Sequence, residues 1–157
     1  MKNITILWLG SMFWGCIAAP NYPNTPEITF KSLSKNTMKQ GVFNNDSLLL
    51  SFTFTDGDGD LGQEDSSSIF LTDLRSGFGQ PTFKFPYVPE NGSGNGITGE
   101  VNLALYTTCC YFPDGTPPCQ TSPNYPNDTL QYEIYIVDRA GNKSNVIKTS
   151  EIILICQ

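Results

Sequence analysis

The chain contains no histidine in 157 residues. That absence removes the Ser-His-Asp and Cys-His nucleophile systems and every zinc site built on imidazole. Basic residues are also scarce: nine Lys and Arg stand against fifteen Asp and Glu, a net charge of -6. The basic footprint that phosphate backbones require is missing, so nucleic acid is not an expected partner. No CxxC pair occurs among the five cysteines, and no cationic cluster flanks them to depress a thiol pKa, which argues against a dithiol redox centre. Nor is there an uninterrupted apolar run of the roughly 20 residues that a spanning helix needs. No stretch carries a convincing helical period.

What is present begins with a short apolar leader. Residues 1–15 carry one charge, Lys2, followed by Ile4, Ile6, Leu7, Trp8, Leu9, Met12, Phe13 and Trp14, the layout of a removable secretory signal. Phe13-Trp14-Gly15-Cys16 resembles a lipobox, the site at which a lipoprotein signal is cut and the new N-terminal cysteine is acylated. We take Cys16 as the lipid-attachment residue. The competing reading is an ordinary signal cut elsewhere, because Phe13 and Trp14 stand where an aliphatic and a small residue are usual. Parity argues for the lipid: setting Cys16 aside leaves Cys109, Cys110, Cys119 and Cys156, an even set that in an exported chain points to two disulfides of open pairing. Residues 16–26, with Pro20, Pro23 and Pro26, read as an extended tether, and 27–157 as one domain.

Fourteen glycines and eleven prolines punctuate short runs rich in Ile, Val, Phe, Tyr and Leu. Seven runs read as strands: 27–33, 47–55, 68–74, 81–87, 97–106, 129–138 and 145–156. Leu48, Leu50, Phe52 and Phe54 alternate with Ser51, Thr53 and Thr55, as a half-buried sheet requires. Val101, Leu103 and Leu105 repeat the pattern, as do Leu130, Tyr132, Ile134 and Ile136. The fold class is therefore all-β, an antiparallel β-sandwich of about seven strands.

Two motifs carry a resemblance. TDGDGDLG at 55–62 closes a strand, and VDRAGN at 137–142 with Ser144 and Asn145 forms a late turn. Together they resemble Bacteroidota lipoproteins with immunoglobulin-like, or fibronectin type III-like, sandwich domains. The resemblance implies that fold and a place on the cell envelope, and hardly any activity. The tripeptides DSL at 46–48 and DTL at 128–130 resemble an O-glycosylation site of exported proteins in the same bacteria; polar residues entering a strand are the preferred reading of both.

If the strands alternate in direction, simple parity places the tether, the 56–60 loop, the 90–96 loop and the 138–142 turn at one pole. The 107–128 loop, with three cysteines, falls at the other pole together with Cys156. Asp56, Asp58 and Asp60 set three carboxylates at alternate positions with glycines between them, the spacing by which calcium loops gather oxygens. Leu61 and Ser67 break the match to an EF-hand loop. Further ligands must come from elsewhere, with Glu64, Asp65 and Asp138 the candidates. A tight solvated turn is the alternative.

The functional expectation is a lipid-anchored envelope protein, on the outer membrane and facing the periplasm in preference to the cell surface. It serves as a non-catalytic binding or accessory module, calcium-stabilised, with an envelope protein complex or a glycan as partner. Tyr111 and Phe112, beside Tyr106 and Tyr125 in the cysteine-rich loop, are the candidate contact residues. Packing of that loop onto the sandwich is the rival account of the same aromatics. A purely structural envelope protein is the alternative, and a carboxylate-pair glycoside hydrolase on Asp56, Asp60 and Asp138 a distant third.

Overall fold

A computed structural model describes residues 21–64, 66, 68–77, 82–89 and 96–157. The leader, Cys16 and the first part of the tether lie outside the described residues, as do Asp65, Ser67 and most of the 90–96 loop. The strands are β1 (Glu27–Leu33), β2 (Thr37–Lys39), β3 (Ser47–Asp56), β4 (Ile69–Asp73), β5 (Ile97–Tyr106), β6 (Asn127–Leu130), β7 (Tyr132–Ile136), β8 (Ile147–Lys148) and β9 (Ile152–Ile155). Among the described residues there is no helix. Three small sheets form, ordered β1-β3-β5, β2-β9-β6 and β4-β7-β8, an all-β architecture compatible with a sandwich.

Alternation decides the longest strands. In β3 the side chains of Leu48, Leu50, Phe52 and Phe54 enter the core, and in β5 those of Val101, Leu103 and Leu105 meet them. The two strands pair antiparallel without a break, from Ser47 opposite Tyr106 to Asp56 opposite Ile97. Leu130 of β6, Tyr132, Ile134 and Ile136 of β7, and Ile152 and Leu154 of β9 belong to the same buried core. Burying each such side chain contributes about 1.5–3 kcal/mol.

The expectation differs from the structure in four places. The run at 129–138 is two strands in different sheets, because Gln131 ends the pairing with β9 and Tyr132 begins the pairing with β4. Buried Thr149 seals that crossing: its hydroxyl accepts from Tyr132 N–H and its carbonyl accepts from the Gln131 side chain. The run at 145–156 breaks at the same level into β8 and β9. The run at 81–87 is not a strand in its described part. Phe83 alone bridges to Ile69, and Pro86 cannot donate to a ladder. Finally, Thr37–Lys39 is a strand without an alternating signal, and it pairs with β9 in parallel, so the sheets are not wholly antiparallel.

The four distal cysteines pair as Cys109–Cys119 and Cys110–Cys156, with Cα separations of 4.6 and 6.0 Å. Adjacent cysteines thus tie the 107–128 loop to itself and to the end of β9.

Candidate metal centre

β3 delivers Asp56 at its last residue, and the loop then turns tightly. Gly57 donates its N–H to the Pro23 carbonyl at 2.7 Å. A Cβ at this position would collide with the Tyr22 carbonyl, so only glycine lets the loop lie against the tether. Gly59 holds a φ of +67°, open to glycine at little cost. The chain then bends back so that Asp60 N–H donates to Asp56 Oδ2 at 3.0 Å.

The second half of the site comes from the turn after β7. Asp138 is fully buried and accepts at Oδ1 from Asn142 N–H (2.7 Å) and at Oδ2 from Asn142 Nδ2 (2.8 Å). Ala140 N–H donates to Asp60 Oδ2 at 2.9 Å, and Arg139 N–H to the Asp60 carbonyl, which staples turn to loop. Carboxylate oxygens of Asp56, Asp58, Asp60 and Asp138 consequently all lie within 4.8 Å of one another.

The electrostatics of this nest are unfavourable without a cation. Asp56 is wholly buried, and burial first, then the charges of Asp58, Asp60 and Asp138, push its carboxyl up to about 6. Asp60 is raised in the same direction by burial, with Asp138 and Asp58 adding to it. Three oxygens, Asp56 Oδ1, Asp58 Oδ1 and Asp60 Oδ1, are buried without a hydrogen-bond partner. Orphaned buried carboxylate oxygens cost several kcal/mol unless something charged meets them. A hard cation with oxygen ligands fits that donor set. The Arg139 guanidinium donates through Nη1 to the carbonyls of Leu61, Gly62 and Val88, and its charge partly offsets the rise at Asp60.

Of the other candidates, Asp138 joins the three loop aspartates, while Glu64 is exposed and outside the cluster and Asp65 is not described. Leu61, where an EF-hand would place glycine, is instead a fully buried core residue. At the distal pole Phe112 packs against the core, whereas Tyr111 remains exposed with the Arg75 guanidinium 4.6 Å from its ring centroid. Asp46 and Asp128 each accept the N–H of the next residue at a strand start. Val42 and Phe43, which no sequence pattern singled out, are 62% and 87% exposed on the loop between β2 and β3.

One cluster was invisible in the sequence. Arg75 holds Asp73 (2.6 Å), Asp128 (2.6 Å) and the Cys109 carbonyl (3.1 Å), with Asp73 almost wholly buried. The planar fork locks the cysteine-rich loop onto β4 and β6. Arg75→Lys keeps the charge and loses the fork, and should destabilise the chain by about 1.5–2 kcal/mol in urea denaturation. No change would mean that the fork adds nothing to a simple point charge.

Comparison of the chain with protein-family profiles, curated proteins and solved structures returns no match.

Proposed function

We propose that this chain is a lipid-anchored envelope protein with an immunoglobulin-like sandwich that serves as a non-catalytic binding or accessory module, stiffened by a divalent cation, calcium first. The observation that carries the reading is the aspartate nest. It sits where the tether meets the sandwich, and Gly57 bonds directly to Pro23. A cation there would fix the domain on its stalk. The likeness of the TDGDGDLG and VDRAGN segments to Bacteroidota lipoproteins supports the same reading, as does the lipobox-like FWGC at 13–16.

The arrangement favours this over glycoside hydrolysis. A glycosidase separates its two carboxyl groups by about 5 Å or more, with the sugar between them. Here four carboxylates crowd into one knot, and Asp138 spends both oxygens on Asn142. Four carboxylates gathered on one point suit a single ion better than a sugar ring held between two of them.

Isothermal titration of the full chain in detergent micelles should give one calcium per chain. Asp56→Asn together with Asp58→Asn should abolish the heat. In membrane fractionation Cys16→Ser should move the protein out of the membrane pellet. No calcium heat would remove the cation from the proposal, and an unmoved Cys16→Ser protein would remove the lipid.

A further inference from the structure

The sheet β1-β3-β5 has two edges, and they are built differently. β1 carries the usual protections of an open edge: its register against β3 slips between Phe30 and Ser32, Pro26 precedes it, and Lys31 sits within it. β5 has none of these. It runs for ten residues in unbroken register, without Lys or Pro, and its one charge, Glu100, is engaged by Lys31.

The free side of β5 can be assigned residue by residue. Thr107 N–H donates to the Asp46 carbonyl. Antiparallel pairing alternates, so the main-chain groups of Leu105, Leu103, Val101 and Gly99 face β3, while those of Tyr106, Ala104, Asn102, Glu100 and Thr98 point away from it. Among the described residues no backbone hydrogen bond reaches that side. Two apolar clefts lie along it. One of about 350 Å³ is lined by Leu71, Phe83, Ala104 and Tyr132, and one of about 450 Å³ by Phe54, Phe85, Val88 and Val101.

We propose that the free edge of β5 is a strand-addition site that takes an extended segment of a partner polypeptide, with apolar side chains at every second position and no net negative charge. It rests on the reading of the chain as a binding module and says where the partner lies. Main-chain pairing supplies affinity, and the two clefts select alternate side chains. A second copy of this chain does not fit the clefts with its own β5, because Val101, Leu103 and Leu105 are buried in that copy's core. The net charge of -6 disfavours an acidic segment.

The test is a random-peptide phage library panned on the full chain in detergent micelles, followed by amide hydrogen exchange of the complex with a selected peptide. Selected peptides should alternate apolar and polar residues. The amides of Thr98, Glu100, Asn102, Ala104 and Tyr106 should exchange freely in the chain alone and become protected on binding. Ala104→Pro removes an outward N–H without touching the β3 ladder, and should weaken binding about tenfold or more while the amides of Val101 and Leu103 stay protected. Peptides that bind with the outward amides still exchanging would overturn the edge site and leave the binding module standing. Failure to enrich any binder would count against both. Protection of the same amides by the chain's own self-association, with no peptide bound, would replace the partner by a second copy and overturn the proposal as stated.

Discussion

Replacing Cys110 and Cys156 together by alanine should lower stability by about 4 kcal/mol, and the same exchange at Cys109 and Cys119 by about 2.5–3 kcal/mol. The bridges differ in the length of chain they close, 46 residues against 10. The entropy removed from the unfolded chain grows with the logarithm of that length. Their surroundings differ as well: Cys110 and Cys156 are fully buried, Cys109 and Cys119 only half-buried. Truncating the first pair therefore also opens space in the core. For a protein of this size the larger loss lowers Tm by roughly 12–20 °C. Guanidinium denaturation of the two double variants checks both the size and the order. Equal losses would mean that loop closure is not what the long bridge contributes.

Calcium should raise the midpoint of thermal unfolding at pH 7.5, and a chelator should reverse it. At a hundredfold excess over Kd a ligand that binds only the folded chain adds about 2.7 kcal/mol, roughly 8–13 °C here. The pH dependence sharpens the test. Asp56, with its carboxyl raised to about 6 against 3.8 for an ordinary one, holds its proton more tightly folded than unfolded. Between those values the folded chain binds more protons, so the metal-free protein loses stability as pH rises through that window and regains it on acidification. Asp60, raised in the same direction, adds to the trend. A cation replaces the proton, so the calcium increment should be large at pH 7.5 and small at pH 5. Asp56→Asn should erase the increment while leaving the metal-free protein as stable as before or more so. A midpoint indifferent to calcium and chelator at pH 7.5 would sink the site.

Much of this was legible in the sequence wherever period and parity speak. The apolar alternation of β3 and β5 needed no tertiary information, since side chains two apart must share a face. Counting strand directions placed Asp138 beside the 56–60 loop, although the count itself was imperfect. One strand was read into 81–87 and one missed at Thr37–Lys39. Thr37–Lys39 precedes both loops and does not enter the count between them. The 82–88 segment, though no strand, still runs antiparallel to β4 at Phe83 and returns to Leu61 through the Val88 N–H, so the parity holds. Phe83, Phe85 and Tyr87 alternate as a strand would, but Pro86 removes a ladder donor. Met38 is a lone apolar residue between Thr37 and Lys39, too little for any periodic signal, and only the presence of β9 makes it a strand. The Arg75 cluster was out of reach for another reason. Its partner Asp128 lies 53 residues away, and nothing local in either segment announces the other.

The bond from Gly57 to Pro23 also has a mechanical side. Tension arriving through the residues before Pro23 meets that bond first and then enters β1 at Glu27, whose partner across the ladder is Thr55. β1 continues from there along the length of β3 to Leu33 opposite Leu50. A pull outward along the strand axis would load those rungs in shear, all at once, where a sideways pull would open them one at a time. An ion gripping Asp56, the residue that follows Thr55, would clamp the ladder at the point where such a load enters.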